Sequence, residues 1–149
     1  MRMLSLLIAL VIVGFSLKVA VQGGGGGDSG AGGGTLAPDV TAQAQSICSQ
    51  AFTPPLIRFP PDVEGAASAA AAAQARSTID TMLGQLEPAI TSRPVSQAFT
   101  LITSYRNLLS ALAAFPPDGG EQAEQNVMQL ATGVSSQAQA LGIPACAPG

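Results

Sequence analysis

Cys48 and Cys146 are the two residues of this 149-residue sequence whose type and placement point to a defined covalent chemistry. They bracket nearly the whole segment able to fold, and in an oxidising compartment such a pair is most simply one disulfide. Closing a loop of that length would stabilise the fold by roughly 4 to 5 kcal/mol in the chain-entropy model. The alternative is two free thiols. A redox centre is disfavoured, because neither a CxxC spacing nor a flanking cation is present.

Other chemistries fare worse. The sequence has no histidine, which removes a Ser-His-Asp triad and an imidazole base, and two cysteines alone cannot complete a zinc site. No catalytic residue, metal or cofactor is implied. Glu121 and Glu124 resemble paired carboxylates, but acids in the first turn of a helix commonly complement its dipole. Arg76 and Asp80, four residues apart, are expected to form a weak exposed pair. Tyr105, Arg106 and Asn107 are the densest polar cluster of their helix, a candidate interaction patch whose plainer reading is a solvated face. The glycine run at 23–34 lacks the GK[ST] that would follow in a phosphate-binding loop.

Charge narrows the partners. Beyond residue 22 the cations are Arg58, Arg76, Arg93 and Arg106 against nine acids, a formal net of minus five. Nucleic-acid binding, which depends on neutralising phosphates, is set aside.

The elements that must position these residues begin with an oily N-terminus. Met3 to Leu17 carries no charge, and counting on to Val21 gives nineteen residues, roughly 28 Å as a helix and close to a bilayer's hydrocarbon thickness. Lys18 lies near the end, where it can snorkel to the interface. Residues 1–22 are therefore expected to form a single-pass anchor meeting the lipid bilayer through residues 3–21. The competing reading is a cleaved signal peptide and a secreted domain, but Lys18 intrudes where small residues should precede the cleavage point. Residues 23–37 form a glycine-rich, low-complexity linker. Its core, GGGGGDSGAGGG, would span about 19 Å as a random coil, enough to clear the headgroups.

Residues 38–149 read as helices punctuated by proline, with no alternating strand pattern. Helices are expected over Asp39 to Phe52, Asp62 to about Glu87, Pro94 to Phe115, and from near Asp118 to Gly142. Pro88 should stop or kink the second. The inward faces are expected to carry Val40, Ala44, Ile47, Cys48 and Ala51; Ile79, Met82, Leu83 and Leu86; Val95, Phe99, Ile102, Leu108, Leu109 and Leu112; and Val127, Leu130, Val134, Ala138 and Leu141. FPPD occurs at Phe59 to Asp62 and again at Phe115 to Asp118, with each aspartate placed to cap the following helix. Shared turn chemistry explains the repeat better than duplication. The alanine tract from Gly65 to Ala75 suits tight helix packing; its functional alternative is a groove for an apolar ligand. Short connections between four helices predict an antiparallel bundle, closed by the disulfide.

Two stretches carry a resemblance. MRMLSLLIALVIVGFSLKVAV resembles the N-terminal anchors of small single-pass bacterial envelope proteins. ALGIPACAPG resembles the tail of small exported helical domains, common in high-GC bacteria, that end in a lone disulfide cysteine. The resemblance implies a cytoplasmic-membrane protein with its helical domain outside the cytoplasm, and attaches no mechanism. The expected function is a tethered, non-catalytic interaction or scaffolding module for an envelope protein partner. The alternative is a carrier of a small apolar molecule in the alanine-lined interior.

Overall fold

The computed structural model describes residues 34–59, 65–93 and 95–149. The expected membrane segment, the glycine run up to residue 33, and Asp62 lie outside the described residues. Four α-helices, α1 (Pro38–Ala51), α2 (Gly65–Thr91), α3 (Ser96–Ala113) and α4 (Glu121–Ala140), precede a short 3-10 turn at Pro144–Cys146. There is no strand among the described residues, and no helix there is long and apolar enough to cross a membrane.

Each helix packs on the next in sequence, α1 on α2, α2 on α3 and α3 on α4. Their directions alternate. Arg93, just past the end of α2, pairs with Asp39 at the start of α1 at 3.1 Å. Ala69 and Ala73 early in α2 share a shallow groove with Leu112 and Ala113 at the end of α3. The fourth side is different, because the C-terminal 3-10 turn packs on both α1 and α4 and closes the bundle between them.

Local chemistry accounts for most boundaries. Pro38 opens α1 at a position where its missing N–H costs nothing, and Asp39 complements the dipole. The helix ends at Ala51, with Phe52 already extended before Pro54 and Pro55. Gly142, at φ +76°, supplies the left-handed residue that ends α4. Its N–H donates to the Gln139 carbonyl and that of Ile143 to Ala138, the paired bonds of a Schellman stop.

Several expectations need correction. Helix α2 runs one turn past Pro88 to Thr91, because Ala89 and Ile90 beyond the proline are buried and their burial outweighs one lost backbone bond. Thr91 Oγ1 donates to the Glu87 carbonyl and Ser92 Oγ to that of Ala89, satisfying groups at the helix end. The core stripe of α3 keeps the expected Ile102, Leu108 and Leu112 but is rotated away from Val95, Phe99 and Leu109. It consists of Ala98, Leu101, Ile102, Tyr105, Leu108 and Leu112, leaving Phe99 51% exposed and Val95, Leu109 and, on α4, Leu130 only half-buried. Leu36, assigned to the flexible linker, is buried in the core, so the folded part begins before residue 38. Asp118 does not cap α4: Gly120 holds the N-cap position without any side-chain cap. Arg76 and Asp80 are not an ion pair; among the described residues the pairs are Arg93–Asp39 and Arg106–Glu87.

The phenylalanines that open the two FPPD motifs meet in space. Phe59 and Phe115 stack with centroids 5.3 Å apart and planes 9° from parallel, a contact worth about 0.5 to 1.5 kcal/mol beyond its area. Beside them the start of α2 touches the loop before α4. A Cβ on Gly65 would lie 1.6 Å from the Asp118 carbonyl oxygen, so only glycine fits. Gly65→Ala should therefore destabilise the protein by about 1 to 3 kcal/mol in urea unfolding. Gly84→Ala, whose Cβ meets nothing within 4 Å, should instead stabilise by up to about 1 kcal/mol. Equal effects from the two would refute the close approach.

Candidate functional site

The C-terminal strap, residues 141–149, is the best-anchored irregular segment of the described structure. Leu141, Ile143, Cys146, Ala147 and Pro148 are all buried. Cys146 is joined to Cys48 of α1, with Cα atoms 5.0 Å apart and both residues fully buried. Gln45 Nε2 donates to the Gly142 carbonyl at 2.8 Å. The N–H groups of Leu56 and Ile57 both donate to the Pro148 carbonyl, at 2.9 and 3.2 Å. On α4, Ser135 Oγ accepts the Gly149 N–H at 3.3 Å. Small residues at Ala131, Ser135 and Ala138 let the strap lie close to this helix.

Tyr105 completes the anchoring. Its hydroxyl donates to the Cys146 carbonyl, and burial raises its pKa far above the usual tyrosine value. This corrects the expected patch of Tyr105, Arg106 and Asn107. Successive helical residues are about 100° apart and cannot share a face. Tyr105 therefore enters the core, Arg106 Nη2 reaches the Glu87 carboxylate on α2 at 2.6 Å, and exposed Asn107 lines a shallow groove with Asn126 and Gln129. The Arg106–Glu87 pair is well exposed, so its contribution is about 1 kcal/mol or less.

Beside the strap lies a surface groove of about 430 Å³ that sequence reasoning missed. One wall is Pro55, Ile57, Arg58 and Phe59, and the other is Glu121, Glu124, Gln125 and Met128 of α4, with Gly149 at the strap end. Met128 is 39% exposed, one of two large hydrophobic residues so exposed among those described. Glu121 and Glu124 occupy the first turn of α4, as expected, and Glu121 accepts from Gln125 Nε2 at 3.0 Å. Arg58 faces the same groove but lies beyond ion-pair distance of either acid. An apolar floor with a charged rim is the anatomy of a recognition surface. The repeated Phe of FPPD was the sequence's one hint of it, because the Phe59–Phe115 stack sets that wall.

Among the described residues no group of three or more His, Cys, Asp or Glu is placed to hold a metal. The alanine tract contributes Ser68, Ala72 and Ala75 to the core. Compared with known proteins, the chain matches no family model, no curated protein and no solved structure.

Proposed function

We infer that the protein is a non-catalytic interaction module whose helical domain recognises an envelope partner through the groove between residues 55–59 and α4. In this reading, residues 3–21 hold it in the bacterial cytoplasmic membrane and the glycine linker lets the domain search outside the cytoplasm. The observation that carries it is the groove itself: Met128 and Phe59 offer an adaptable apolar floor inside a polar rim, beside a strap held by a disulfide. A continuous core from Leu36 to Cys146 is what a rigid recognition scaffold requires. The carrier reading has less support: Ala72 and Ala75 of the alanine tract are packed within that core, and Ala69 and Ala73 line only a shallow surface groove shared with Arg76 and Asp80.

The test places a photo-crosslinking residue at Met128, or at exposed Gln50 as control, in full-length protein in cells. A discrete adduct from Met128 alone, with lower yield when residues 23–34 are shortened and helicity unchanged, supports the reading. Adducts of equal yield from both positions, or none from Met128, would sink it.

A further inference from the structure

We propose that the groove takes a non-helical, extended segment of a partner polypeptide in which apolar side chains alternate with cationic ones. The proposal rests on the reading of this groove as the interaction site and adds the chemistry of its occupant.

Three observations point the same way. The first is that the fold already uses this slot for irregular backbone. Residues 146–149 lie between the 56–57 segment and α4, and the Leu56 and Ile57 N–H groups hold the Pro148 carbonyl. The groove adjoins that interface, with Gly149 among its lining residues. Arg58 and Phe59, next along the same wall, carry this irregular backbone on beside α4.

The second observation is the floor. Ile57, Phe59, Pro55 and Met128 provide apolar surface, and an extended segment presents every other side chain to one face. The third is charge. Glu121 and Glu124 on α4 face Arg58 alone, leaving the groove net negative, and neither acid has a cationic partner among the described residues. Elsewhere, Arg93 and Arg106 are already matched to Asp39 and Glu87. A cationic residue between two apolar ones would meet the acids while its neighbours fill the floor.

Three dye-labelled ten-residue peptides test this. They share alternating leucines and carry lysine, serine or glutamate between them, and their binding to full-length oxidised protein is followed by fluorescence anisotropy. The lysine peptide should bind tightest. The double variant Glu121→Gln, Glu124→Gln should weaken that peptide by about three- to tenfold, the scale of two exposed ion pairs, and leave the serine peptide unchanged. Met128→Ser should weaken both, whereas Asp80→Asn, outside the groove, should change neither. Matching melting curves check that each variant is folded.

Binding of all three peptides alike, abolished by Met128→Ser, would overturn the cationic occupant while leaving the groove as the interaction site. No binding, or binding indifferent to Met128→Ser, would overturn the occupant and the site together. Concentration-dependent self-association lost in Met128→Ser would assign the groove to a second copy of the chain and overturn the proposal.

Discussion

Replacing Cys48 by serine lowers the melting temperature of the oxidised protein by about 10 °C or more. The bond joins positions 98 residues apart, and removing a native disulfide from a small domain costs about 2 to 5 kcal/mol. Each kcal/mol corresponds to roughly 4 °C in a domain of this size. Loop entropy is only part of the effect. The bond ties the strap to α1, and the strap closes the side of the bundle where α1 and α4 both pack on the 3-10 turn. Serine would also place a hydroxyl where Cys48 is fully buried. Cys48→Ala with Cys146→Ala separates the contributions, because it removes the bond without adding a polar group. The reduced wild type should melt near that double variant. Equal melting temperatures for oxidised and reduced wild type would remove the disulfide from the account of stability.

The second large effect is confined to alkaline pH. From residue 34 onward the sequence has no lysine and no histidine, and Tyr105 is the protein's single tyrosine. Both cysteines are bonded. The side chains that ordinarily change charge between about pH 6 and 9, histidine and the free thiol, are thus missing from residue 34 onward, so stability should be flat there. Burial raises the Tyr105 pKa in the folded protein, whereas in the unfolded chain the phenol ionises near its ordinary value of about 10. The contribution is therefore complete below about pH 10. Above it the unfolded chain releases a proton that the folded protein retains. Stability should then fall by about 1.4 kcal/mol per pH unit.

Tyrosinate absorbance should rise only together with loss of helicity. Ionisation near pH 10 with helices intact would mean that the hydroxyl is accessible and the strap is not seated on it. Tyr105→Phe should remove the alkaline slope while costing about 1 to 3 kcal/mol at neutral pH, since the buried Cys146 carbonyl loses its donor.

The parts of this architecture that depend on neighbouring residues were legible before the structure. Proline and glycine mark the end of α1 and of α4, and the periodic apolar positions of α1, including Val40, Ala44 and Cys48, face inward as expected. Competition between tertiary contacts decided the rest. On α3, Phe99 and Leu109 offered an apolar stripe next to that of Ala98, Leu101, Tyr105, Leu108 and Leu112. The second prevails because Tyr105 can bury its ring and still satisfy its hydroxyl on the strap. Pro88 was expected to stop or kink α2; it lies inside the helix, which the buried Ile90 carries onward to Thr91. The groove was illegible because its walls lie more than sixty residues apart and are brought together by the Phe59–Phe115 stack and the Pro148 carbonyl. The repeated FPPD hints at the first contact without showing that its phenylalanines meet, and the second leaves no local pattern.

The strap also imposes an order on biosynthesis. A chain emerging from the ribosome or an export channel presents α1, α2, α3 and α4 well before residues 141–149, so the helices can pair in sequence while one flank of the core stays wet. Cys48 has no partner within the protein until Cys146 emerges, which excludes premature intramolecular oxidation. The final bundle can therefore be completed only once Cys146 has emerged, and a nascent protein stalled before it would keep its apolar seam open to chaperones.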